Sequence, residues 1–172
     1  MRDMADHLVE LGHQDIGFIS GPQNYRSSIE RLAGFLAELQ VYDVNLPSEY
    51  IVEGKNSYDS GLECARKLLS KQPRPTAIVA NNDEMAAAVL RVANNQGIKV
   101  PEQLSVAGFD DNILASRIIP SLTTIRRPVF NMACLAVQKL INRSRGNQDK
   151  LPMPKTVTPH LVTRESTSRV PE

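Results

Sequence analysis

The run from Pro75 to Leu90, PTAIVANNDEMAAAVL, constrains the fold more than any other stretch of the chain. Ala77 to Ala80 form a short apolar segment of the length expected of a buried strand. The sequence then breaks at Asn81-Asn82-Asp83-Glu84 and resumes with Met85, Val89 and Val92 at helical spacing. Asn82 is a good N-cap, and Asp83 and Glu84 put negative charge in the first turn, where the helix dipole favours it. A strand feeding directly into a capped helix is a unit of an open α/β sheet, and such sheets bind ligands at the carboxyl ends of their strands. Capping alone accounts for Asp83 and Glu84. It accounts less well for two adjacent asparagines.

The same alternation runs through most of the chain. Met4, Leu8 and Leu11 mark one face of a first helix, with Gly12 at its C′ position. Ile16 to Ser20 read as a buried strand that ends at Gly21-Pro22. Ser27-x-x-Glu30 reads as a capping box for a helix with Ile29, Leu32, Ala33, Leu36 and Leu39 inward. Tyr50 to Glu53 make a weaker strand, followed by Gly54-Lys55-Asn56 and a helix carrying Leu62, Ala65, Leu68 and Leu69. After the opening run, Leu104 to Phe109 form another strand, ending in Asp110-Asp111. One helix, three strand–helix units and a strand predict an α/β fold: a doubly wound parallel sheet with flanking helices.

The last third is less regular. Ile118 to Ile125 is an apolar run interrupted by proline, with no clear element. Pro128 suits the first turn of a helix whose apolar stripe is Val129, Met132, Ala133, Ala136, Val137, Leu140 and Ile141. Residues 143 to 150 are polar and read as a loop. Val157 to Thr163 read as a final strand, which Pro159 demotes to an edge.

Composition excludes several function classes. With 20 basic and 19 acidic residues the formal charge is +1, so no electrostatic footprint for nucleic acid is visible. No apolar run reaches membrane-spanning length and the first residues do not form a signal peptide, which points to a cytoplasmic protein without a membrane partner. Cys64 and Cys134 sit in helical patterns without a CxxC and read as reduced, buried thiols. The sequence lacks a GxSxG elbow, a Gly-rich phosphate loop and zinc-spaced histidines, so neither an enzyme nor a cofactor or metal is expected. His7, His13 and His160 are scattered, and His13 falls where it would cap a helix.

Polar groups recur after each strand: Ser20 and Gly21 leading to Ser27, Ser28 and Arg31; Gly54 to Asn56; Asn82 and Asp83; Asp110 and Asp111. In a parallel sheet these ends share one edge, so the groups converge on a single crevice. A carboxylate accepts from vicinal hydroxyls and a guanidinium fork donates to hydroxyl or carboxylate oxygens, which suits a polyhydroxylated or amide-bearing ligand. The alternative is that Asp110, Arg31 and Asn82 only cap helices and pair with one another.

Taken in order, HLVELGHQDIGFISGP, SSIERLAGF, PTAIVANNDEMAAAV, VPEQLSVAGFDDN, IPSLTTIRRP and LVTRES resemble the effector-binding core of the LacI/GalR family of bacterial transcriptional regulators, from His7 to Thr167. The resemblance implies two periplasmic-binding-protein-like lobes crossed by three chain connections, behind a helix-turn-helix and hinge helix. Residues 1–112 would belong to the C-terminal lobe, 113–150 to a crossover and a helix of the N-terminal lobe, and 151–172 to the return crossover, last strand and tail. The DNA-binding domain and most of the N-terminal lobe would lie outside this chain, leaving the stripe of the Pro128 helix without its sheet. The implied ligand is a small effector, a sugar or sugar derivative before a purine. By position, Arg31, Asn82 and Asp110 match the family's effector-binding residues, Ser27 a position used by some members, and Arg127 a polar cleft position. Asn56 departs from the pattern, since well-studied members carry an aromatic there. A homodimer is implied, with Ala87, Ala88, Arg91, Arg117, Ile118 and Ile119 at its interface and operator DNA bound only through the domain outside this chain. The alternative within the same fold is a periplasmic sugar-binding protein of a transport system.

Overall fold

The computed structural model describes residues 1–144 and 157–170. Six strands form one sheet: β1 (Ile16–Ser20), β2 (Ile51–Glu53), β3 (Ala77–Ala80), β4 (Ser105–Asp110), β5 (Thr123–Arg126) and β6 (His160–Val162). Their order is β2-β1-β3-β4-β5-β6, parallel throughout except that β6 runs antiparallel to β5 at the edge. The expected doubly wound sheet is therefore present. Its direction of winding reverses beside β1, between β2 and β3, and that reversal marks the switch point where such sheets open a crevice.

Side-chain alternation along the strands feeds two cores. Ile16 and Phe18 of β1, with Ala77 and Val79 of β3, pack under α1 (Arg2–Glu10) and α2 (Arg26–Val41) through Met4, Leu8, Phe35 and Leu39. Ile19, Ile78 and Ala80 face the other way, under α3 (Tyr58–Leu69) and α4 (Asp83–Asn95), against Leu68, Met85 and Val89. Gly61 lets α3 and α4 touch: a Cβ there would sit 2.8 Å from the Cβ of Ala88. Gly12, at φ 89°, ends α1 as expected.

Three expectations need correction. Ser27 does not cap α2; the N-cap is Tyr25, with no side-chain bond, and Glu30 pairs instead with Arg26 one turn back. The run before Pro128 is not irregular throughout, because Thr123–Arg126 is the fifth parallel strand and carries the sheet past residue 112. Its signal is hidden by two buried threonines whose hydroxyls are both satisfied: Thr124 donates to Asp83, and Thr123 accepts from the backbone N–H of Arg164. His13 does not cap a helix either. It is buried with its ring nitrogens 2.9 Å from the hydroxyls of Thr76 and Ser105, tying the amino ends of β3 and β4 to the carbonyl of Ser168.

Helix α5 (Val129–Ser144) follows β5 and has no buried residue. Val129, Phe130, Met132, Val137, Leu140 and Ile141 are exposed, and so is Cys134, in contrast to the buried Cys64. The polar loop expected over 143–150 lies largely outside the described residues. No helix among the described residues is long and apolar enough to cross a membrane.

Candidate functional site

The carboxyl ends of β1, β3 and β4 carry Ser20, Asn81 and Asp110 to one edge of the sheet, as expected of parallel strands. Arg31, in the second turn of α2, reaches over the end of β4, with its guanidinium carbon 3.9 Å from the ring centre of Phe109. Its Nη1 donates to the carbonyl of Asn81 at 2.6 Å, and its Nη2 lies 3.6 Å from Asp110 Oδ1. Arg127, just past β5, brings Nε to 2.8 Å from that same oxygen. Asp110 Oδ1 is thus shared by two guanidinium groups, close to Arg127 and distant from Arg31. Burial lifts the Asp110 carboxyl above its usual range despite the two arginines, and burial lowers the Arg31 guanidinium against the opposing pull of Asp110. Asp110 has φ 119° and Asp111 φ 53°, a sharp turn that aims the two carboxylates apart. Asp111 takes Arg164 at 2.6 Å and also Arg126. Burial would raise its pKa, but bonds from those two arginines hold it below the ordinary value.

The two asparagines divide the work at the end of β3. Asn82 caps α4, its Oδ1 accepting from Met85 N at 3.0 Å, and its Nδ2 donates to the carbonyl of Asn56 at 3.0 Å. Asn81 is 1% exposed and donates from Nδ2 to the Asn56 side-chain oxygen at 2.7 Å, while its own Oδ1 has no partner among the described residues. Asn56 is thus gripped by backbone and by side chain, in a left-handed conformation (φ 57°) that asparagine tolerates. Gly21 closes the cluster. A Cβ there would meet Ser28 Oγ, Asn81 Nδ2 and Asn56 Oδ1 within 2.7 Å.

The structure therefore brings Arg31, Asp110 and Arg127 together, and places Asn56 beside Asn81, whose carbonyl Arg31 holds. Asn82 lies at the same edge with both polar side-chain atoms engaged inside the fold. Ser27 faces solvent, and its neighbour Ser28 is the buried hydroxyl at the crevice. Sequence reasoning missed Asn81, Arg126 and Arg164, and it placed Ser28 at the crevice edge without singling it out over Ser27. The double asparagine was the available signal for Asn81; nothing in the sequence links Arg164 to Asp111. Asp83 is no simple cap. It is fully buried, accepting from Thr124 Oγ1 at 2.6 Å and Asn112 N at 2.8 Å, and burial drives its pKa up to about 6. A cleft of about 620 Å³ opens beside Asp110, lined also by Asp111, Arg126, Arg127, Phe130 and His160. That size suits a small molecule.

Of the expected interface residues, Ala88 is fully buried and Ala87 is 7% exposed, so neither offers a surface; Ala88 packs on α3. Arg91 and Arg117 are exposed, Ile118 packs partly on the core, and Ile119 is 94% exposed.

The sequence pattern of the periplasmic binding protein-like domain matches residues 5–167. The chain is a periplasmic binding protein-like domain of the LacI/GalR type. It is 37% identical over 159 residues to the transcriptional regulator AscG of Escherichia coli K12, covering 92% of this chain and 47% of AscG. It superposes on the transcriptional regulator CelR in complex with cellobiose at a TM-score of 0.88 and 33% identity, covering 96% of this chain and 50% of CelR. On the Lac repressor dimer bound to operator and an anti-inducer the TM-score is 0.87 at 33% identity, covering 97% of this chain and 57% of that one. The chain spans about half the length of the curated relatives it matches. This LacI/GalR-type domain thus keeps company with transcriptional regulators rather than enzymes, and its sheet order and flanking helices are those expected of the family.

Proposed function

We propose that this chain is the effector-binding and dimerising portion of a cytoplasmic bacterial transcriptional regulator, a repressor whose operator is read by a separate domain. A small sugar-like effector binds in the crevice at the carboxyl ends of β1, β3 and β4. The observation that carries this reading is the meeting of Arg31 from α2 and Arg127, just past β5, at the single oxygen Asp110 Oδ1, at the carboxyl end of β4. Asp110 accepts from ligand hydroxyls, Arg31 and Arg127 donate to ligand oxygens, and Asn56 contributes its amide where relatives stack an aromatic. Asn82 positions Asn56 and the start of α4, and Ser27 stands at the rim. Effector binding biases the arrangement of α4 and β5 against the rest of the regulator, and so the spacing of its DNA-reading heads.

A thermal-shift screen of the chain against hexoses, disaccharides, sugar acids, sugar phosphates and nucleobases tests this. A ligand that raises the melting temperature of the parent, but not of Arg31→Ala or Asp110→Ala, supports the site. A shift retained in both variants places the ligand elsewhere and refutes it.

A further inference from the structure

The crevice edge holds four guanidinium groups against two paired carboxylates. Asp110 faces Arg31 and Arg127, Asp111 faces Arg126 and Arg164, and no other carboxylate among the described residues pairs with any of the four. Asp83, the remaining acid nearby, bonds a hydroxyl and a backbone amide instead. The Asp111 cluster is closed, with both carboxylate oxygens taken, one by each arginine. The Asp110 cluster is not. Its two arginines compete for one oxygen, and the loser is Arg31, at 3.6 Å with a side chain only 15% exposed.

Arg31 is largely removed from water yet, among the described residues, makes one hydrogen bond, to the Asn81 carbonyl, of the five its guanidinium can donate. A cation in that position is incompletely compensated and favours an added anion. Arg127 stands at the other side of the same oxygen, 40% exposed, where the cleft opens. An anionic group arriving there displaces Arg127 from Asp110 and pairs with it. Asp110 is then free to accept from hydroxyls of the same molecule. The opposite ligand, an uncharged polyol, leaves the second guanidinium uncompensated and has to win hydroxyl bonds from a carboxylate already engaged.

We infer that the effector is a monosaccharide-sized polyol carrying one anionic group, a carboxylate or a phosphate, bound between Arg31 and Arg127 with its hydroxyls on Asp110. This rests on the crevice reading above and adds the charge class of the ligand. Isothermal titration of the chain separates the cases, using glucuronate and gluconate, glucose 6-phosphate, neutral glucose and cellobiose, and inorganic phosphate alone. A sugar acid or a sugar phosphate should bind at least about tenfold more tightly than either neutral sugar, the value of one charge-assisted contact. Which of the two binds identifies the anionic group. Arg127→Gln should remove that preference, and the parent's affinity should fall with added salt.

Neutral sugar bound as tightly as the anions, with the binding lost in Asp110→Ala, overturns the inference and leaves the crevice reading standing. Anion binding unchanged in Arg31→Ala, Asp110→Ala and Arg127→Gln overturns the crevice reading itself. Inorganic phosphate binding as well as any sugar derivative, or no binding by any acid or phosphate, also overturns the inference.

Discussion

Asp83 sits at the first turn of α4 with no exposed surface, between the hydroxyl of Thr124 and the backbone amide of Asn112. Burial, aided by the nearby charges of Asp110 and Asp111, carries its pKa to about 6, against the lowering effect of its two hydrogen bonds. The folded chain then holds the proton more tightly than the unfolded chain does. Its contribution is therefore most favourable below the ordinary carboxylate range and is lost as pH rises towards 6, by on the order of 3 kcal/mol in all. Asp83→Asn should flatten that part of the stability profile, read as urea midpoints at about pH 4 and about pH 7; a slope identical to the parent's would show that Asp83 is not its source. Gly21→Ala should cost about 1–3 kcal/mol in the same assay, because its methyl group would press on three polar atoms of the crevice. The residue scale is also where sequence reading slipped by single positions. Asn82 was legible as a cap because capping is local, but Asn81 and Ser28 acquire their roles from partners 25 and 53 residues away in the chain. Asp110 and Arg31 were legible through chemical type at a strand end and through family position together.

At the scale of elements, β1 to β3 were readable because each is an apolar strand followed by an amphipathic helix, and β4 because it is itself a continuous apolar run. Strand β5 was not, since Thr123 and Thr124 look polar until Arg164, Ser166 and Asp83 are brought against them. Helix α5 carries a continuous apolar face in its sequence, yet no residue of the helix is buried. That difference makes a direct comparison possible. Leu140→Lys on α5, at a site 68% exposed, should leave the unfolding free energy of the chain within about 0.5 kcal/mol of the parent. Leu68→Ala on α3, at a fully buried site, should cost about 2–5 kcal/mol. Urea denaturation of the two variants measures both, and a large loss in Leu140→Lys would mean that α5 packs on the domain in solution.

For the whole molecule, the question is where a second copy of the chain would sit. The candidates on α4 are narrowed by burial: Ala87 and Ala88 face inward, and the surface belongs to Arg91 on the helix, with Arg117 and Ile119 on the segment before β5. Ile119 is an isoleucine with 94% of its surface in water, at a groove of about 380 Å³ whose lining mixes Leu90, Ile98, Val100 and Pro120 with Asn94, Lys99 and Glu102. An exposed apolar knob next to a groove with an apolar wall on one surface can be self-complementary across a two-fold axis, each Ile119 packing on Leu90, Ile98 and Val100 of the other copy. A stable interface of this kind buries about 800 Å² per partner and depends on a few well-packed anchors. Ile119→Lys replaces the anchor with a charge that must be buried twice, so the dimer dissociation constant should rise at least about a hundredfold, roughly 3 kcal/mol. The fold itself should be untouched, because the parent side chain contacts almost nothing within its own chain. Sedimentation equilibrium of parent and variant, alongside their circular dichroism spectra, gives the result. A dimer of unaltered affinity in the variant would move the interface to another surface, and α5, with its uncovered apolar face, would be the next to test.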